Sequence, residues 1–260
     1  MKIIDISVAV DAQAWEPDPV IHEIMTPAQG AEHMAEEMKE FGLEISPSDL
    51  PNGELLSIDT LKLTSHTGTH VDAPSHYGSS VTYGDGVPRT IDQLPLDWFH
   101  RPGFVLDLTR VEEQVADAAY VKAELDRIGY TPQPMDIALL RTRASEWVGT
   151  PMYFSEFVGL DRSATELLLD YGVKVIGTDA FSVDAPFGDM ITRYHQTQDQ
   201  GVLWPAHFLG REREYCHIER LANLDTLPKP FGFTVVCFPF KVAGAGAGWT
   251  RAVAIFEDED

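Results

Sequence analysis

Apolar and polar positions alternate over residues 2–9, the period of a half-buried strand. The next stretch, 11–27, loses that period; it is rich in proline and acidic residues and reads as an ordered loop or arm. Thr26 followed by Pro27 marks a helix start. Ala31, Met34, Met38 and Phe41 then recur at helical spacing until Gly42, and this methionine-rich stripe reads as core packing. Residues 44–53 read as loop and 54–64 as a strand. Further on, 103–108 (GFVLDL) reads as a buried strand, 117–128 as an amphipathic helix stopped by Gly129, and 136–142 as another strand. Ser163 with Glu166 has the capping-box pattern, opening a helix that ends at Gly172. Strands follow at 173–178, 233–239 and 251–256. Helices and strands mix without strict alternation, which predicts a single α/β or α+β domain on a mixed sheet. No internal repeat or low-complexity linker interrupts the chain.

Composition narrows the class. The chain has 260 residues, 44% hydrophobic and 23% charged, ordinary for a globular protein with enough length to bury a core unaided. Cys216 and Cys237 match neither a disulfide framework nor a zinc-finger spacing, so they read as reduced, buried thiols of a cytoplasmic protein. The N-terminus lacks the pattern of a signal peptide, and no apolar run reaches transmembrane length. A net charge of −22 disfavours nucleic acid and anionic membranes as partners and says nothing specific about substrate. The acidic tail from Glu257 to Asp260 is expected to be solvated.

Chemistry concentrates in 65–76, SHTGTHVDAPSH. In an extended chain, residues 66, 68, 70, 72 and 76 share one face. Gly68 then leaves a gap between two imidazoles in which an ion can sit. His66, His70 and Asp72 supply two nitrogens and one carboxylate, the donor set of a catalytic divalent-metal site that keeps positions open for water and substrate. Pro74 bends the chain, so His76 approaches from another angle, better placed for acid/base work than as a third imidazole on the same ion. A pair of histidines four apart arises by chance; three histidines and an aspartate within this one short segment argue for a metal.

Elsewhere the residues leave alternatives open. In 205–228, His207 and Glu219 are possible ligands, but on this segment alone a helix cap and an arginine partner are the better explanations, and His217 is equally available by composition. Gly244, Gly246 and Gly248 have the wrong spacing for a dinucleotide fingerprint and read as a close-packed loop. Asp179, Ser182 and Asp184 follow a strand end and suit a pocket wall or a turn. Ser155 and Cys237 have no base beside them, so a covalent mechanism has no support. Trp15, Tyr77, Trp98 and Phe181 could build a stacking pocket, but residues of this kind are more often core than pocket.

SHTGTHVDAPSH resembles the signature H-x-G-T-H-x-D-x-P-x-H of the cyclase family of metal-dependent hydrolases, which includes bacterial kynurenine formamidase and isatin hydrolase. The GTDAFSVD segment at 177–184 and the His207–Glu219 spacing followed by NLDTLP are similar to family blocks. The resemblance is weak over 11–54, which reads as an N-terminal arm or insertion within one domain spanning 1–260. It implies an α/β domain with a mixed, barrel-like sheet flanked by helices, of the swivelling β/β/α type. It implies His66, His70, Asp72, His207 and Glu219 as ligands of one or two Mn²⁺ or Zn²⁺ ions, with His76 as acid/base, and it demotes His217. The implied reaction is hydrolysis of an amide, formamide or cyclic amide of a small aromatic substrate through metal-activated water. The alternative is a cyclase or dehydratase acting on a small carbonyl compound in secondary metabolism. A homodimer or higher oligomer is implied too, with Trp15 as the candidate that reaches a partner's site and Tyr77 and Phe181 as further substrate contacts.

Overall fold

A computed structural model describes residues 1–257, so most of the acidic tail, 258–260, lies outside the described residues. The chain divides into two compact units. The smaller comprises 11–13 and 17–64, so the segment set apart in the sequence at 11–54, apart from 14–16, lies in a unit that runs on to Thr64. The larger comprises 1–10, 14–16 and the chain from Ser65 onward.

Strands, in chain order, are β1 (Lys2–Asp5), β2 (Ile21–Met25), β3 (Ile58–Lys62), β4 (His70–Asp72), β5 (His100–Asp107), β6 (Val115–Ala116), β7 (Ile137–Arg141), β8 (Gly159–Leu160), β9 (Val175–Thr178), β10 (Cys216–Glu219), β11 (Phe231–Val236), β12 (Ala247–Trp249) and β13 (Val253–Phe256). Helices are α1 (Pro27–Glu40), α2 (Pro74–Tyr77), α3 (Ala118–Ile128), α4 (Arg162–Asp170), α5 (Phe187–Thr197) and α6 (Pro205–Leu209).

In the smaller unit, α1 starts where the sequence places it. Thr26 is the N-cap, Gln29 Oε1 accepts from the Thr26 amide at 2.9 Å, and Pro27 opens the first turn. The methionine stripe is not core packing. Met34 and Met38 are half-buried and Phe41 is 81% exposed, while the buried positions are Gly30, Ala31 and Ala35. Small residues are needed there because the Leu56 carbonyl lies 2.1 Å from where a Cβ on Gly30 would sit. The expected loop over 11–27 contains β2, which pairs antiparallel with β3 from Ile21↔Lys62 to Met25↔Ile58. Residues 21–25 (IHEIM) carry no clean alternation, and long-range pairing makes the strand.

The larger unit is an α/β fold on a curled nine-stranded mixed sheet, ordered β1-β13-β11-β5-β7-β9-β10-β4-β12. Its centre explains the apolar run GFVLDL. Strands β5, β7 and β9 are parallel, joined through α3 and α4, and covered on both faces. Phe104, Leu106, Ala138 and Leu140 face Val121, Leu125, Ala164 and Leu168 of the helices. The alternate positions Val105, Ile137 and Leu139 pack with Val71, Ile218 and Val235 on the other face. Asp161 caps α4, accepting from the Ala164 amide at 2.8 Å. The expected capping pair behaves otherwise: Ser163 donates to Asp161 and Glu166 pairs with Arg162, because the carboxylate two residues earlier takes the orphan amide. Cys216 and Cys237 are buried free thiols. Among the described residues, no helix is long and apolar enough to cross a membrane.

Candidate metal centre and its cavity

The extended reading of 65–76 holds only for β4. Residues 65–69 are turns, and Gly68 has φ +68°, with Val10 Cγ2 lying 2.8 Å from where a Cβ would sit. Glycine is there for the turn and the close approach, not to leave a gap for an ion. The turn folds His66 back so that its Nδ1 lies 3.2 Å from His70 Nε2 and 3.0 Å from Asp72 Oδ1. His70 Nε2 is 3.3 Å from the same oxygen. Metal–ligand bonds of about 2.0–2.2 Å put neighbouring donors about 3.0–3.5 Å apart, so this spacing fits a coordination shell. His70 Nδ1 donates to the Gly68 carbonyl at 2.9 Å, which leaves Nε2 its lone pair.

Strand register supplies the second half. In the antiparallel pair of β10 and β4, Glu219 lies opposite His70 and His217 opposite Asp72. The four side chains share one face, while Val71 and Ile218 enter the core on the other. Glu219 Oε2 is 3.8 Å from His70 Nε2. Glu219 Oε1 accepts from Ser182 Oγ and from the Val183 amide, each at 3.0 Å. His207 rides on α6, and its Nε2 lies 3.9 Å from both Asp72 Oδ2 and Glu219 Oε1. Asp184 aims it: one oxygen accepts from His207 Nδ1 at 2.5 Å, and the carboxylate also accepts the Ala206 and His207 amides. Ser182 and Asp184 thus serve the site, whereas Asp179 holds a turn by accepting from the Thr142 and Arg143 amides.

Electrostatics mark the cluster as short of cations. Asp72 is fully buried, and neither carboxylate oxygen has a hydrogen-bond partner. Burial would push its pKa up, but His70 and His66 outweigh that and hold it well below the usual range. Burial and the Asp72 charge push Glu219 up. His207 is disfavoured as a cation by burial, yet Asp184 raises it to about 9. His76 is exposed at the cavity edge, 4.3 Å from His66 and 5.5 Å from His207 between ring centroids. Partial removal from water pushes it down to about 4, helped by the neighbouring imidazoles and opposed by Asp72. It reaches the site on α2, which Pro74 opens, and it packs against Gly246, where a Cβ would be 3.4 Å away.

Two donor groups share Asp72. One joins it to His207, His217 and Glu219, the other to His66 and His76, each with donor atoms within 4.8 Å of one another. All six nominated residues therefore meet, and so does His217, which the sequence demoted. The alternation in 216–219 (CHIE) was the signal that could have kept it. The donor set and the orphaned carboxylate fit a divalent cation.

The histidines open on a cavity of ≈ 270 Å³ walled by Phe154, Phe157, Phe181, Phe187, Met190 and Trp204. Phe181 lies in that wall, with the Arg220 guanidinium 4.2 Å above its ring. Tyr77 does not line the cavity. It is buried behind the histidine and carboxylate cluster, its hydroxyl donating to the Asp72 carbonyl and accepting from the His217 amide. Trp15 is also outside the wall of its own chain, its amide bound to the Gly149 carbonyl, and Trp98 lies in the core.

Residues 4–185 match the family model described as putative cyclase, a span that contains the whole 65–76 motif. The chain belongs to the cyclase family. This cyclase-family chain is 28% identical over 198 residues to a kynurenine formamidase of Salinibacter ruber, covering 76% of this chain and 79% of that protein. It is 25% identical over 210 residues to cyclase-like protein 2 of Oryza sativa, covering 79% and 68%. Among solved structures, the cyclase-family fold is shared with isatin hydrolase A from Ralstonia solanacearum at a TM-score of 0.74, 21% identity, and coverage of 98% and 92%. An isatin hydrolase bound to the product analogue thioisatinate gives 0.75 at 20% identity, covering 99% and 93%.

Proposed function

We propose that this chain is a metal-dependent hydrolase cleaving the C–N bond of an amide, formamide or cyclic amide in a small aromatic substrate. One observation carries the reading: a buried Asp72 carboxylate with both oxygens unsatisfied, standing between two donor groups behind histidines that line an aromatic cavity. The names of its relatives, a kynurenine formamidase and isatin hydrolases, point to the same bond. His66, His70 and Asp72 would hold one cation, and His207 and Glu219, with Asp72, would hold a second. Nitrogen and oxygen donors suit both Mn²⁺ and Zn²⁺. A divalent cation in this site lowers the pKa of water toward neutrality and polarises a carbonyl.

The chain's own groups do the rest. The aromatic wall stacks the substrate and excludes bulk water. His76, neutral above about pH 4, has a nitrogen free to take the proton from attacking water. It then returns that proton to the departing nitrogen, which leaves poorly as an amide anion. We infer that the enzyme works in the cytoplasm as a homodimer or higher homo-oligomer, with Trp15 near a partner's cavity.

The family description favours a second reading, a cyclase or dehydratase. Product mass separates the two. A screen of N-formyl anilines, cyclic imides and lactams with metal-loaded protein is expected to give products heavier by one water. A natural substrate converted without gaining water would move the assignment to the second reading.

A further inference from the structure

The hydrogen bonding of His217 decides which of its nitrogens is available. The Tyr215 hydroxyl gives its one proton to the Ala206 carbonyl at 2.5 Å, so toward His217 it accepts. His217 Nε2 therefore donates in the 2.7 Å bond to Tyr215, and Nδ1 carries a lone pair. His217 is fully buried, and Nδ1 has no hydrogen-bond partner. Asp72, its cross-strand neighbour, has two orphaned oxygens, and His207 Nδ1 is committed to Asp184. Buried lone pairs turned toward one another are unfavourable unless a cation lies among them.

We propose that His217 Nδ1 is a metal ligand, completing with Asp72, His207 and Glu219 a closed four-donor site, and that His66, His70 and Asp72 form a distinct open one. The proposal rests on the metal centre of the function proposed above. Four protein donors leave no position for substrate, whereas three leave one or more. The cavity reaches both donor groups: His66, His70, His207 and Glu219 line it, while His217 and Asp72 do not. The division rests on donor count: the open ion would be the one to meet substrate, and the closed one would fix the carboxylate they share.

Metal retention by the full-length protein tests this without reference to activity. Protein loaded with excess Zn²⁺ and dialysed against a mild chelator is expected to lose one ion quickly and keep the other. His217→Asn and His217→Phe should bind the retained ion at least tenfold more weakly, while Tyr215→Phe, which loses the acceptor behind Nε2 but keeps Nδ1, should weaken it less than either. If the His217 variants fold poorly, X-ray absorption on His66→Ala protein given one equivalent of Zn²⁺ decides, because its open site keeps a single imidazole: two imidazoles on that ion support the proposal, and one overturns it. Retention unchanged in both His217 variants also overturns it, leaving the hydrolase reading intact. Two imidazoles there, with wild-type protein that cleaves no C–N probe, would sink that reading and leave this one. Wild-type protein that binds no divalent metal removes both.

Discussion

Asp184 and His76 approach the same imidazole from different directions, and their loss should read out differently. Asp184 touches no reacting atom; it fixes His207 through Nδ1 and so presents Nε2. Asp184→Asn should weaken metal binding about 10–100-fold, as loss of a carboxylate behind a ligand histidine does. Equal affinities by calorimetry would refute that role. His76→Ala should instead keep its metal and lose roughly 10²–10⁴ in rate. Loss of metal in that variant would move His76 into the ligand shell, beside His66 and Asp72. At this scale the sequence is legible where chemistry is local: His66, His70 and Asp72 declare themselves within one short segment. Asp184, His217 and the phenylalanine wall do not, because only folding brings them to the cluster, and each is an ordinary turn or core residue by type.

Register does for elements what spacing does for residues. Slipping β10 by one position would send His217 and Glu219 into the core and turn Cys216 and Ile218 toward the cluster. Ile218→Ala, at a fully buried position that locks that register, should cost about 2–5 kcal/mol of stability and loosen metal binding with it. Phe41→Ser, at a residue 81% exposed despite its place in an apolar stripe, should change stability by less than about 0.5 kcal/mol. Chemical denaturation of the two variants checks both values. The same contrast shows how the fold could be read. Apolar runs such as 103–108 and 136–142 report burial on both faces and came through as strands. Strand β12 and helix α6 are too short to carry a period, and they exist because neighbours pair or cap them. The stripe on α1 misled because period reports amphipathicity, not depth of burial.

For the whole molecule, a net charge of −22 and an unsatisfied carboxylate in the interior make divalent cations stabilising ligands. Free metal at 100 times its Kd should add about 2.7 kcal/mol, roughly 5 °C in Tm for a chain of this length. A chelator-treated sample that melts at the same temperature with and without Mn²⁺ or Zn²⁺ contradicts a folded-state metal site. Activity should vanish on chelation and return with either ion. The two halves of the site come from opposite ends of the chain: the Thr69 hydroxyl meets the Arg220 carbonyl across 151 positions. During synthesis, the parallel strands β5, β7 and β9 can assemble from near neighbours well before β10 leaves the ribosome. A nascent chain thus displays His66, His70 and Asp72 for many seconds without the partners that would hold an ion firmly. Tight metal uptake is then a late checkpoint of maturation, and in refolding it should rise with the slowest phase.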